Sequence, residues 1–164
     1  MRFPFFEEDI FCNILIDNVA LCQRIKPFEL IGFKINPDHS HFIIQPTGTF
    51  NISKIMQNIK RTTSNQINQL ISFKQQENYY ENLELTERLM LYNRMFIRKY
   101  NYSEFHDFPR FKWQVSFDDR IMRSEKQLQG TTQYLKKQAV KHELKEDKFL
   151  YVAEEKPRNV VFMK

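Results

Sequence analysis

The chain has 164 residues, 41% of them hydrophobic and 15% aromatic, which is enough for one buried core and cramped for a second full domain. Glycine is scarce at three, and neither G-x-x-x-x-G-K-[ST] nor G-x-G-x-x-G occurs, which argues against a nucleotide-driven motor or a dinucleotide enzyme. A net charge of +5 suits a polyanionic partner, because cations that meet phosphates release condensed counterions, although many basic proteins bind no nucleic acid.

In chain order, Phe6, Ile10, Ile14, Val19 and Cys22 keep roughly helical spacing, and residues 6–24 are predicted to form a helix. Glu7, Glu8 and Asp9 sit in its first turn, where the helix dipole favours acids. The same acids stand where a secretory leader would need an apolar run, and no stretch of ~18 apolar residues follows. Cys12 and Cys22 form no C-x-x-C pair and read as buried thiols of a reducing compartment. The expectation is a cytoplasmic protein with no membrane span.

Pro27 ends the helix, and residues 28–36 read as a strand. After the Pro37-Asp38 break, residues 39–45 (HSHFIIQ) read as a second strand, able to pair with the first as a hairpin. Thr49 or Asn51 is available to cap a helix that runs to about Ser72, with Ile52, Ile55, Met56 and Ile59 on one stripe and Lys54, Lys60 and Arg61 off it. Residues from about 75 to 110 are polar, then helical, then a loop. Residues 111–117 (FKWQVSF) look like a third strand. Ser124 to Gln127 has the form of a capping box, with a helix to about His142, and residues beyond 145 read as a tail or a short edge strand. The fold class is therefore α+β, and the order helix–strand–strand–helix suits a ferredoxin-like sandwich with an antiparallel sheet and helices on one face. One domain is expected over residues 1–150, with a helical insertion at about 75–110 and a tail at 151–164.

Three constellations could carry chemistry. His39 and His41 are two apart on a strand, so both imidazoles face one side and can address one metal ion. The bland alternative is two polar residues at a strand entry. Tyr134 and Gln138 are four apart on a helix, so the phenol and the amide share a face, and a tyrosine can act as a covalent nucleophile. Taken alone, Tyr134 is an ordinary amphipathic-helix residue. Lys112, Trp113, Arg120, Arg123, Lys136, Lys137 and Lys141 interleave bases and an aromatic ring around that helix, as single-stranded nucleic acid requires, or as any solvated helix face displays. Two imidazoles and an amide oxygen would leave open positions on a divalent ion for phosphate oxygens. Such chemistry suits Mg²⁺ or Mn²⁺, with imidazole ligands favouring Mn²⁺.

These pieces also occur in a familiar order. The segment FKINPDHSHFIIQ (33–45), the helix NISKIMQNIKRTTSNQIN (51–68), Trp113-Gln114, FDDRIMRSEKQL (117–128) and YLKKQAVKHEL (134–144) resemble, in sequence and spacing, the single-tyrosine HUH transposases. Within that family they look most like the REP-associated and IS200-like groups. The resemblance covers residues 5 to about 150. It implies an enzyme that cuts and rejoins hairpin-forming single-stranded DNA through a 5′-phosphotyrosine, with a divalent cation. It makes Tyr134 the nucleophile and His39, His41 and Gln138 the metal ligands. It also admits a homodimer, with the tyrosine acting in its own subunit or across to the other.

Three departures accompany the resemblance. Ser40 stands where the family has a hydrophobic residue, and Ala139 where it has proline. The family also opens on a strand that Met1, almost at the first helix, leaves no room for. That predicts a sheet short of its first strand and a chain that is truncated or decayed. The competing expectation is thus a non-catalytic nucleic-acid-binding module. A metal hydrolase unrelated to DNA ranks last, because no acidic ligand set or general base lies near the histidine pair, and His106 and His142 are isolated in sequence.

Overall fold

In the computed structural model, residues 3–72, 82–100, 108–115, 118, 120–141 and 148–153 are described. A short 3-10 turn at Phe5–Glu7 leads into helix α1 (Asp9–Ile25), whose N-cap Glu8 accepts from the Ile10 amide at 3.3 Å. The predicted helix thus begins three residues later than its apolar spacing indicated. Strands β1 (Phe28–Ile35) and β2 (Ser40–Pro46) form the expected antiparallel hairpin, closed by the Asn36 amide donating to the His39 carbonyl at 2.8 Å. Helix α2 (Ile52–Ile71) is capped by Asn51, whose side chain accepts from the Lys54 amide at 3.0 Å. Helix α3 (Leu83–Lys99) lies within the segment read as an insertion and packs on α1. Helix α4 (Glu125–Lys136) begins at the Ser124 cap. Gln127 turns back to accept from the Arg123 amide at 2.7 Å, one residue earlier than a standard capping box. A break at Lys137 separates α4 from the short α5 (Gln138–Lys141).

The sheet is completed by β3 (Leu150–Val152), in the order β2-β1-β3, with both pairings antiparallel. The stretch read as a tail or edge strand therefore supplies the third strand. The sequence assigned that role to residues 111–117, and this is corrected: residues 111–114 join no ladder. Side chains of α2 satisfy the backbone there instead. Asn68 accepts from the Phe111 amide and donates to the Phe111 carbonyl, at 2.8 and 2.9 Å, and Lys60 donates to the Gln114 carbonyl at 2.8 Å. The apolar residues pack as an aromatic cluster, Phe111 and Trp113 against Phe5 and Phe6. Alternation alone does not distinguish this from a strand. Phe117, His106 and His142 lie outside the described residues.

Alternation along β1 and β2 divides the core in two. Ile35 and Ile44, with Phe33 and Phe42, face α1 and α2 and join Ile14, Leu15, Ile55 and Ile59. Ile31 and Ile43 face the other way, onto Met122 and the α4 residues Leu128 and Leu135. A register irregularity between Leu30 and Gly32 lets Ile31 join this second face. The α+β class holds, with α1 and α2 covering one face of an antiparallel sheet and α4 seated on the other. Gly32 is what allows α4 and β3 to come so close, since a Cβ there would stand 3.0 Å from the Tyr151 carbonyl oxygen and 3.2 Å from Leu135 Cδ1. No helix among the described residues is long and apolar enough to cross a membrane.

Candidate active site

The face of the sheet beneath α4 carries His41 on β2, with His39 just before the strand begins. Opposite them lie Lys34 and Asn36 of the β1 end, with Lys34 paired in register to His41. The two imidazoles meet edge to face with ring centroids 4.9 Å apart. The hairpin thus does what the two-residue spacing predicted and points both histidines to one side. Helix α4 brings the phenol ring of Tyr134 to 5.5 Å from the ring of His41. One turn later, past the break at Lys137, the buried amide of Gln138 turns inward and donates back to the Tyr134 carbonyl at 3.3 Å. All four residues singled out for chemistry, from two segments about a hundred residues apart in sequence, therefore converge.

Asn36 ties them together. Its side-chain amide nitrogen lies 3.0 Å from His39 Nε2 and donates to Gln138 Oε1 at 3.2 Å. The Asn36 side chain is 1% exposed, and among the described residues its Oδ1 is buried without a hydrogen-bond partner. On the other side of the ring, Asp38 Oδ1 is 2.6 Å from His39 Nδ1. Nδ1 thus faces the carboxylate and Nε2 faces the cluster. The sequence reading missed both residues. Asp38 was visible as the immediate neighbour of His39. Asn36 was visible as a polar residue at the end of an apolar strand, across the turn from the first histidine.

Lys34 is the other unforeseen member. Its side chain is fully buried on the site face, and its Nζ donates to the Lys148 carbonyl at 2.5 Å.

Beside the cluster lies a cleft of about 850 Å³, with β2 and Tyr134 on one side and residues 109–114 on the other. Its walls combine aromatic rings (Phe5, Phe6, Phe42, Trp113) with cations (Lys60, Arg110, Lys112). Trp113 is pinned by its indole N–H to the Lys60 carbonyl at 2.9 Å and packs tilted against Phe6 with ring centroids 5.7 Å apart, so it belongs to both core and cleft. Burial lowers the Lys60 ammonium below the usual lysine value. Lys112 therefore joins the cleft, as does Lys60, which sequence periodicity placed simply off the apolar stripe. Arg120 lines a smaller recess with Met122 and Tyr134. Lys141 sets its ammonium 5.4 Å from the Tyr134 ring. Arg123, Lys136 and Lys137 are exposed around α4 and do not line the cleft.

Among the described residues, no three His, Cys, Asp or Glu side chains converge as a metal cage. The donor set here is two imidazoles and amide oxygens. With the Asn36 amide between them, its nitrogen toward His39 and Gln138 and its oxygen buried without a hydrogen-bond partner among the described residues, that set fits a divalent cation which accepts mixed nitrogen and oxygen donors.

An antiparallel sheet that presents paired histidines to a helix-borne tyrosine defines an α+β fold with these side chains gathered on one face. The profile described as transposase IS200 like matches residues 2–83, half of the chain. The chain belongs to that family. The match contains His39 and His41, whereas Tyr134 and Gln138 lie beyond it and are joined to the histidines by the fold. No curated protein and no solved structure matches the chain.

Proposed function

We propose that this transposase-family chain is a single-stranded DNA nickase and strand transferase that works through a 5′-phosphotyrosine on Tyr134 and takes hairpin-bearing DNA as substrate. The observation that carries the reading is the 5.5 Å approach of the Tyr134 ring to His41, with Gln138 a turn away and bonded to Asn36. In this reading His39, His41 and Gln138 hold a Mg²⁺ or Mn²⁺ ion, which supplies Lewis-acid polarisation of the scissile phosphate when bound. The Tyr134 oxygen attacks phosphorus, and the bond from phosphorus to the leaving 3′-oxygen breaks. The phenol proton is lost and the leaving oxygen departs as a 3′-hydroxyl. Attack by a 3′-hydroxyl on the phosphotyrosine reverses the step and returns the proton to Tyr134, so rejoining needs no nucleotide. The Lys141 ammonium beside the ring supplies positive charge where the phosphate would be attacked. Unpaired bases stack on the aromatic wall of the cleft, and Arg110 and Lys112 meet the backbone.

The test is a covalent-adduct assay: protein, labelled single-stranded hairpin DNA and Mn²⁺, resolved on a denaturing gel beside Tyr134→Phe. A shifted band that disappears in the variant is expected. Retention of DNA on a native gel with no covalent band in either protein would instead identify a binding module without chemistry.

A further inference from the structure

We propose that Asn36 is a fourth protein ligand of the metal, through its side-chain oxygen. The inference rests on the reading that His39, His41 and Gln138 hold a divalent cation. The Asn36 side chain touches both halves of that set, at 3.0 Å from His39 Nε2 and 3.2 Å from Gln138 Oε1. Its backbone is fixed, because its amide donates to the His39 carbonyl at 2.8 Å and the preceding Ile35 amide donates to the Phe149 carbonyl at 3.2 Å. The side chain therefore has little freedom beyond its terminal torsion, and that torsion is broad and two-fold, so a half-turn exchanges nitrogen for oxygen in the same place.

The role of spacer does not account for Asn36. A residue that only filled the end of a strand would be apolar there. A residue that only braced the ligands would have both ends of its amide satisfied. Instead Oδ1 is buried with no hydrogen-bond partner among the described residues. An amide carbonyl is a suitable donor for a hard divalent cation, and it matches the Gln138 oxygen in kind. With Asn36 included, three donors come from the hairpin and one from the helix. The turn residues 36–39 then form a bidentate unit, with Asp38 orienting its imidazole from behind.

Titration of the full-length protein with Mn²⁺ without DNA, followed by the free-ion electron paramagnetic resonance signal, reads affinity. Water-proton relaxation of the bound ion reads how many waters it keeps. Asn36→Ala is expected to weaken binding by about tenfold or more and to add one water to the bound ion. Asn36→Asp is expected to tighten binding, because a carboxylate replaces a neutral donor in the same place. Unchanged affinity and hydration in Asn36→Ala, alongside clear loss of binding in His41→Ala, would overturn the fourth ligand and leave the three-residue site standing. Failure of the wild type to bind Mn²⁺, or undiminished binding by His41→Ala, would remove the metal site and this proposal with it. If Asn36→Ala does not fold, Asn36→Asp decides, and weaker binding than wild type counts against the proposal.

Discussion

Cys22 lies fully buried on the inner side of α1, with its Sγ directed to the Ile55 carbonyl at 3.7 Å, and burial pushes its thiol from the ordinary 9.0 up to about 11. Burial and the nearby Asp9 and Glu8 raise the Cys12 thiol as well. In the window from about 9 to 11, the unfolded chain releases the Cys22 proton while the folded chain keeps it. Folding is therefore disfavoured as pH rises through that window and is indifferent to this thiol below it. The limiting slope is about 1.4 kcal/mol per pH unit for one thiol. Chemical denaturation at pH 8 and pH 10 should show a shallower fall in Cys22→Ala than in the wild type, and equal falls would show that other groups set the alkaline limit. The sequence read both cysteines as buried thiols, which the fold bears out. That His39 neighbours His41 and Tyr134 neighbours Gln138 was legible in the sequence, because two-residue and four-residue spacings are local rules; the fold brings the two pairs together. Asn36 and Lys34 escaped because their importance depends on register across a turn and on burial by a helix distant in sequence.

Helix α3 is fastened to α1 by two buried carboxylates. Asp17 receives Arg88 at 2.8 Å and the Tyr92 hydroxyl at 3.0 Å, while Glu8 receives Lys99 at 2.6 Å and also the Tyr100 hydroxyl. Burial drives the Asp17 carboxyl upward, and Arg88 and Tyr92 oppose that shift. Arg88→Met leaves the carboxylate with one partner and should cost about 1–3 kcal/mol in the denaturation midpoint. Adding Asp17→Asn should recover part of the loss, since the uncompensated charge is then gone. A second element-scale expectation concerns the seam between β1, β3 and α4. Gly32→Ala places a methyl 3.0 Å from a backbone oxygen that cannot rotate away. Overpacking of this kind costs about 1–3 kcal/mol. Because Leu135 is the other neighbour, the variant should also lose covalent adduct at Tyr134 while still retaining DNA on a native gel; wild-type adduct yield would show that α4 tolerates the shift. Periodicity made most of the elements legible, and caps made two helix starts legible. The failed element, residues 111–117, shows where periodicity stops, because alternating aromatics can face a helix whose Asn68 and Lys60 side chains replace a strand's hydrogen bonds.

At the scale of the whole molecule, the cleft gathers cations from two separated segments, Lys60 of α2 and Arg110 and Lys112 of the 109–114 stretch, around aromatic walls. Binding of a single strand should therefore weaken steeply with salt, with log K falling by about 0.7 per phosphate contact for each decade. The double variant Arg110→Ala, Lys112→Ala should flatten that slope by about 1.4, measured by fluorescence anisotropy on labelled hairpin DNA across a salt series. An unchanged slope would place the strand elsewhere. The cleft was not legible in the sequence, since its walls come from the first turn, the β2 strand and the 109–114 segment, which only the tertiary fold places together. The hydrogen bond from Asn36 to Gln138 spans 102 positions of the chain. That span has a consequence for a protein being made. A nascent chain that has emerged through the hairpin and α2 already displays both histidines, yet it has neither the phenol nor the amide that faces them. Beta-strand β3, which follows later still, pairs with β1 beneath α4. The order of synthesis thus presents the two histidines first, the phenol and the amide that face them next, and the third strand of the sheet beneath them last.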